Sequence, residues 1–351
     1  MLHFVDKVLQ KMLHFLKHYS KAFLVEIIPF EIVKIEDCYG KYTFVDVRSP
    51  KEFEEDCIPG AINIPLFSNE ERAIVGTLYK QVGKDVAIDK GLEIVSKKLP
   101  LMINEYKKLQ GKVIIYCWRG GMRSGSITGL LKSMKFDVEQ LEKGYKDYRR
   151  FVREELEKIK LPETYVVYGL TGSGKTELLQ EFENSLDLEG LAQHRGSVFG
   201  DIGLEIRSQK KFESLLLKRL IELKKEKWIL VEGESRKIGK NQIPLNVWEQ
   251  LQCAKKIKLS CSMKDRIERL HKEYCKNIDK ELIINKLKMI EKYLGKKNVE
   301  ELIKLIEANE IKKFIEKILV EYYDKLYKHT VDSKEYEFEI TNSTALRSRL
   351  S

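Results

Sequence analysis

The chain has 351 residues, enough for two domains with separate cores, and 43% of them are hydrophobic, an ordinary share for a globular protein. Lysine and arginine number 64 against 54 aspartates and glutamates, a formal charge of +10. That favours an anionic partner such as nucleic acid or a phosphorylated substrate, although a solvated lysine-rich surface gives the same count. Six cysteines with no Cys-x-x-Cys pair argue against a disulfide scaffold and a structural metal, and are read as reduced thiols in a cytoplasmic protein. No apolar run approaches the roughly 18 residues that span a membrane.

In residues 1–20, Val5, Val8, Leu9, Met12, Leu13, Leu16 and Tyr19 fall on one face of an amphipathic helix. Packing on the following domain is its expected role. Asp6, Lys7, Lys11 and Lys17 interrupt the stretch and argue against a signal peptide. His3, His14 and His18 have no cysteine or acidic partner at metal spacing and are read as surface residues.

Residues 21–148 read as a parallel α/β domain. Tyr42 to Val47 is a short strand ending at Asp46 and Arg48, read as a structural ion pair. Ser49-Pro50 opens a helix over Lys51 to Asp56. A turn and a strand follow in Ile58-Pro-Gly-Ala-Ile-Asn-Ile-Pro65. Residues 69–109 are helical in pattern, with breaks expected at Gly83, Gly91 and Pro100. Val113-Ile-Ile-Tyr116 is a buried-type strand leading into Cys117-Trp-Arg-Gly-Gly-Met-Arg-Ser124, a loop that enters a helix. Cys117 thus falls at the carboxyl end of a strand, where such sheets bind ligands. Loop amides, the helix dipole, Arg119 and Arg123 would favour a thiolate and would cradle an oxyanion. Val138 to Leu141 reads as the last strand.

Residues 149–163 form the expected linker, and 164–351 a second α/β domain with a helical, lysine-rich C-terminal region. The strand Thr164 to Tyr168 runs into Gly169-Leu-Thr-Gly-Ser-Gly-Lys-Thr176, a P-loop in its required strand-to-helix context. Gly169, Gly172, Ser173 and Gly174 shape the phosphate cradle, Lys175 neutralises charge, and the Thr176 hydroxyl suits Mg²⁺. Lys227 to Glu232 is a second buried-type strand ending in an acid, which makes Glu232 or Glu234 a candidate Mg²⁺ or second-sphere ligand. The alternative for Glu234 is a pair with Arg236. His194 and Arg195 lie in a polar connection over 187–200 that suits an anion site. Arg266 and Arg269 share a helix face and are candidates for phosphate or RNA contact, or for solvent exposure.

Cys-x5-Arg, Cys117 to Arg123, fits two chemistries: attack on phosphorus, or carriage of sulfur or selenium. Phe44-Val-Asp-Val-Arg-Ser-Pro50 and the 58–65 segment resemble the N-terminal motifs of rhodanese domains. Together with the Cys117 loop, the P-loop, Asp187-Leu-Glu-Gly190, His194-Arg-Gly-Ser197 and Val231-Glu-Gly-Glu-Ser-Arg-Lys-Ile-Gly239, they form an ordered set over about residues 25–330. The set resembles the bacterial tRNA 2-selenouridine synthases, a rhodanese domain fused to a P-loop domain. The resemblance implies a transferase acting on wobble 2-thiouridine of tRNA. Geranyl diphosphate alkylates the sulfur, and selenium from selenophosphate then displaces the geranylthio group. It implies Cys117 as the selenium carrier, as a perselenide, with Arg119 and Arg123 beside it, and the P-loop as the diphosphate site, with Mg²⁺ compatible and ATP not required. A selenophosphate-supplying enzyme is then an expected partner. A rhodanese-fold phosphatase or sulfurtransferase, an ATP-dependent kinase, and a non-catalytic tRNA-binding protein are the alternatives.

Overall fold

A computed structural model describes residues 30–274 and 279–350. The helix expected within 1–20 and Cys275 lie outside the described residues. The chain divides between Glu155 and Leu156 into two compact units.

The first unit carries a parallel five-stranded sheet, β1 (Ile32–Val33), β2 (Thr43–Asp46), β3 (Ile62–Asn63), β4 (Val113–Tyr116) and β5 (Val138–Leu141), in the order β1-β5-β4-β2-β3. The central strand β4 is buried along its whole length, as its unbroken apolar run requires. Helices α1 (Ile35–Cys38), α2 (Pro50–Glu55), α3 (Asn69–Gln81), α4 (Lys84–Lys107), α5 (Met122–Ser133) and α6 (Gly144–Lys158) connect and flank the strands. Val45, Ile115, Ile127, Leu131, Leu99 and Met102 share one core on the sheet.

Two expected breaks do not occur. The chain breaks near Gly83, but α4 runs through Gly91 and Pro100. Gly91 lies against the Phe67 ring, where a Cβ would come within 3.3 Å. Leu99 and Met102, on either side of Pro100, are buried, and that packing outweighs the ~3 kcal/mol handicap of an interior proline. α6 in turn continues through most of the segment read as a linker.

Asp46 and Arg48 form the structural pair expected of them. Arg48 Nε and Nη2 donate to the Asp46 carboxylate at 3.0 and 2.6 Å, and Nη2 also donates to Asp56 O at 2.7 Å. The guanidinium stacks 3.9 Å from the Tyr145 ring centroid. Tyr145 in turn donates to the Asp56 carboxylate at 2.7 Å, so a buried network ties β2, α2 and α6 together. Glu52 on α2 accepts the Ser49 N–H at 3.2 Å and faces Arg123 at 3.2 Å and Arg72 at 3.6 Å. Burial alone would raise the Glu52 carboxyl, but Arg123, the Ser49 amide and Arg72 outweigh it and hold it below its ordinary value.

The second unit carries another parallel sheet, β6 (Glu163–Tyr168), β7 (Ser185–Leu186), β8 (Trp228–Glu232), β11 (Lys255–Leu259) and β12 (Phe338–Ile340), in the order β12-β11-β6-β8-β7. A two-stranded ribbon, β9 (Lys237–Ile238) and β10 (Asn241–Gln242), stands apart from it. Helices α7 (Lys175–Gln180), α8 (Leu188–Ala192), α9 (Gln209–Leu223) and α10 (Leu245–Cys253) fall between the strands. After β11 come α11 (Met263–Tyr274), α12 (Lys280–Met289), α13 (Glu291–Leu294), α14 (Lys296–Glu307), α15 (Ile311–Ile318), a π-helical turn at Leu319–Tyr323, α16 (Asp324–Asp332) and, past β12, α17 (Ser343–Leu350). These helices bury Leu287, Leu302, Ile306, Ile315 and Leu319 in a core of their own. β11 and β12 break the reading of the C-terminal region as helical and lysine-rich. In Lys255-Lys-Ile-Lys-Leu259 only Ile257 and Leu259 are buried, a period of two hidden among lysines.

Replacing Arg48 by leucine strands Asp46 without its counter-charge, and a loss of about 3–5 kcal/mol in urea denaturation is expected. Glu52→Gln is expected to cost about 1 kcal/mol at pH 7. Because the folded carboxyl titrates below the unfolded one, the wild-type advantage is present above the unfolded value of about 4.3 and closes as pH falls through the folded value. Paired denaturation curves at pH 7 and pH 3 check this.

Candidate functional site

Cys117 follows the last residue of β4 and is nearly buried, 3% exposed. Its loop is locked by backbone contacts to the start of α6. Tyr145 N–H donates to Cys117 O at 2.8 Å, and Lys146 N–H to Trp118 O at 3.0 Å. Gly144, at φ +58°, makes this possible, since a Cβ there would lie 2.2 Å from Cys117 O. Ser124, in the first turn of α5, donates to the Cys117 sulfur at 3.2 Å. Gln140 on β5 donates through Nε2 to Ser124 Oγ at 2.8 Å.

The two arginines of the loop differ. Arg123 is held by Glu52, so it braces the loop against α2. Arg119 is exposed and makes no ion pair among the described residues, which leaves its charge available to an incoming anion.

In the second unit, the P-loop joins β6 to α7. Gly174, at φ +95°, packs its Cα under the Arg269 guanidinium. Lys175 Nζ donates to Gly169 O at 3.2 Å. Two arginines of α11 hold the loop's carbonyls: Arg266 Nε donates to Thr171 O at 2.8 Å, and Arg269 Nη1 to Gly172 O at 2.7 Å. Arg266 is buried and also bidentate to Asp324, at 3.0 and 2.6 Å. That corrects its reading as a phosphate or RNA contact, because the group is buried and each of its three guanidinium nitrogens donates within the fold. Arg269 also donates to Glu177 at 2.7 Å, yet it keeps a face on the cavity described next.

A cavity of about 1270 Å³ opens over the P-loop. Gly169, Gly172, Ser173, Gly174, Lys175 and Thr176 line one wall. Arg195 and Arg236 reach the same cavity. His194 does not line it: the ring is buried against Gly239, its Nδ1 has no partner, and burial lowers its proton affinity. This corrects its reading as an anion contact, since a neutral buried imidazole has no charge to offer.

Glu189, Glu232 and Glu234 bring carboxylate oxygens within 4.8 Å of one another. Glu232 accepts the Glu189 N–H at 2.7 Å through one oxygen, while the other is buried without a partner. Burial, then Glu189, Asp187 and Glu234, push the Glu232 carboxyl well above its ordinary value. Burial also raises Glu234, against Lys175 and a hydrogen bond with Glu189. Glu234 therefore pairs with Glu189, and Arg236 instead donates to Ile243 O at 3.3 Å. An orphaned buried oxygen beside two further carboxylates, with Thr176 on the same cavity, is a donor set that fits a hard divalent cation.

Apolar and aromatic groups furnish much of the remaining wall, among them Tyr168, Leu204, Trp248, Leu326, Tyr327 and Val331. Burial, Glu234 and Glu189 raise the Tyr327 hydroxyl, which faces the carboxylates. The sequence pattern does not single out Glu189, Gln140 or the α16 residues. Glu189 stands within Asp187-Leu-Glu-Gly190, but Leu326, Tyr327 and Val331 carry no motif and reach the cavity only because α16 packs beside the P-loop arginines.

Comparison with known proteins agrees with this two-part architecture. Residues 35–151 match the family model of a rhodanese-like domain, and residues 162–346 that of the tRNA 2-selenouridine synthase AAA domain. The chain is similar to tRNA 2-selenouridine synthase of Pseudomonas syringae pv. syringae, 33% identical over 84% of this chain and 90% of the relative. It is 31% identical to that of Chromohalobacter salexigens over 84% of this chain and 89% of the relative. With that of Nitrosomonas eutropha it is 36% identical over 66% of this chain and 62% of the relative. The chain, a rhodanese-like domain followed by a P-loop domain, belongs to the tRNA 2-selenouridine synthase family.

Proposed function

We propose that this enzyme converts wobble 2-thiouridine of tRNA to 2-selenouridine in two steps, with geranyl diphosphate and selenophosphate as co-substrates. The observation that carries the reading is the composition of the second unit's cavity: a phosphate cradle on one wall, with apolar and aromatic groups among charged ones on the rest. That suits an amphiphile with a diphosphate head and a hydrocarbon tail.

In the first step the thiocarbonyl sulfur attacks C1 of geranyl diphosphate, the C–O bond breaks, and diphosphate leaves. The P-loop amides, Lys175 and Arg269 receive the departing charge. Mg²⁺ at Thr176, Glu232, Glu234 and Glu189 would supply further charge neutralisation there. Tyr168, Trp248 and Leu326 would hold the tail and exclude water. ATP is not consumed.

In the second step a perselenide on Cys117 attacks C2 and expels geranylthiolate, a far better leaving group than sulfide. A small thiol then attacks the Cys117 sulfur, freeing selenouridine and leaving Cys117 in a mixed disulfide. Selenium of selenophosphate attacks that sulfur and returns the small thiol. Hydrolysis of the P–Se bond releases phosphate and restores the perselenide, with no net oxidation. Arg119 would hold the donor's phosphate beside the sulfur. The chain's excess of 64 basic over 54 acidic residues suits tRNA as partner.

Mass analysis of tRNA nucleosides, after incubation with geranyl diphosphate and then selenophosphate, tests both steps. Lys175→Ala is expected to reduce geranylation at least ~100-fold. Cys117→Ser is expected to abolish 2-selenouridine while S-geranyl-2-thiouridine accumulates. Undiminished geranylation by Lys175→Ala, or selenouridine from Cys117→Ser, would refute the respective assignment. Leu326→Ala is expected to raise KM for geranyl diphosphate several-fold, from ~2 kcal/mol or less of lost apolar contact, and to leave inhibition by inorganic diphosphate unchanged.

A further inference from the structure

We propose that Gln140 is a positioning residue that aims the Ser124 hydroxyl at the Cys117 sulfur. The inference rests on Cys117 being the reacting thiol and not on which chalcogen it carries.

Ser124 has one hydroxyl proton and two acceptors in reach, Cys117 Sγ at 3.2 Å and Gly121 O at 3.3 Å. The proton can serve one of them at a time. Gln140 biases the choice twice. One Nε2 proton goes to Ser124 Oγ at 2.8 Å, which fills an oxygen lone pair and leaves the hydroxyl as a donor. The other leans on Gly121 O at 3.4 Å, the acceptor that competes with the sulfur. With Gly121 O already served, the Ser124 proton is directed to Cys117.

The arrangement is sealed. Ser124 is fully buried, Cys117 is 3% exposed and Gln140 4% exposed, so water has little access to replace a missing donor. Gln140 is placed by β5, paired with Ile115 of β4 two residues before the cysteine. Its amide lies against Gly125, where a Cβ would come 3.4 Å from Oε1. A polar side chain buried in the sheet thereby acts on the sulfur through one intermediate hydroxyl. A hydrogen bond to sulfur favours the anionic form, whether thiolate or perselenide, and the anion is the nucleophile.

The full chain is treated with iodoacetamide at pH 7, and alkylation of the Cys117 peptide is followed by mass spectrometry, which separates it from the other thiols. Neither tRNA nor selenium enters, so this result is independent of the reaction proposed above. Ser124→Ala and Gln140→Leu are each expected to slow Cys117 alkylation about 10-fold, the scale of one hydrogen bond to a charged group. The double variant is expected to be no slower than either single one, because the second change removes a link already broken. Gln140→Glu keeps the shape but turns a donor into an acceptor that draws the Ser124 proton away, and it is expected to be as slow as Gln140→Leu. Ser124→Thr retains the hydroxyl and is expected to restore most of the rate. Wild-type alkylation in folded Gln140→Glu, or single effects that multiply in the double variant, would overturn the proposal. Should Gln140→Leu not fold, Gln140→Glu alone and combined with Ser124→Ala gives the same comparison.

Discussion

The amide of Tyr145 on the carbonyl of Cys117, at 2.8 Å, is the contact on which the first site depends. It fastens the end of the central strand to the start of α6, and so fixes where the cysteine's side chain leaves the backbone. The contact requires Gly144, because any Cβ would collide with the same carbonyl. It also requires Tyr145 itself to be held. That is the task of the Arg48 guanidinium against its ring and of Asp56 on its hydroxyl. A buried cation is costly unless paired, and Asp46 pairs it bidentately. The ion pair at the end of β2 is therefore structural, yet through Tyr145 it reaches the backbone carbonyl of Cys117 in two contacts.

The P-loop follows a different logic. Its glycines free the backbone amides to point at a ligand, which leaves the loop's carbonyls to be satisfied elsewhere. Arg266 and Arg269 do this from α11, at Thr171 O and Gly172 O. The two guanidiniums are thus partly spent on shaping the cradle. Lys175, with its ammonium resting on Gly169 O, is the charge that can swing to a phosphate. Burial pushes the Glu232 and Glu234 carboxyls above their ordinary values, and at Glu232 the neighbouring Glu189, Asp187 and Glu234 add to the push.

Motifs made of contiguous residues were legible in the sequence. The Cys117 loop, the P-loop and the strands that feed them are local, and each pairs an apolar run with glycines at fixed spacing, a pattern that a helix or a solvated connection does not need. The Asp46–Arg48 pair was legible because both residues sit at one strand end. What stayed hidden depends on long-range packing. Arg266 and Arg269 share a helix face, but only the fold puts Thr171 and Asp324 on opposite sides of Arg266. Gln140 looked like an ordinary residue of a last strand, since nothing nearby in sequence says that Ser124 will lie 2.8 Å away. β11 was masked by its lysines, whose side chains reach solvent from a strand with only two buried positions.

The two sites differ in how they treat water, and the difference suits the chemistry proposed for each. A selenium or sulfur nucleophile is lost to protonation and exchange in water, so a carrier cysteine gains from burial with one directed hydrogen-bond donor. Ser124 provides that donor, and Arg119 of the same loop is exposed to solvent. Departure of diphosphate from an allylic carbon instead needs many donors at once, because charge spreads over several oxygens as the bond breaks. A wide cavity lined by a glycine-rich loop, a lysine and arginines meets that need, whereas a sealed pocket around one side chain would not. Housing both proposed chemistries in one sealed pocket would force a compromise between them, and two parallel sheets, each with its own loop at a strand's carboxyl end, would avoid it.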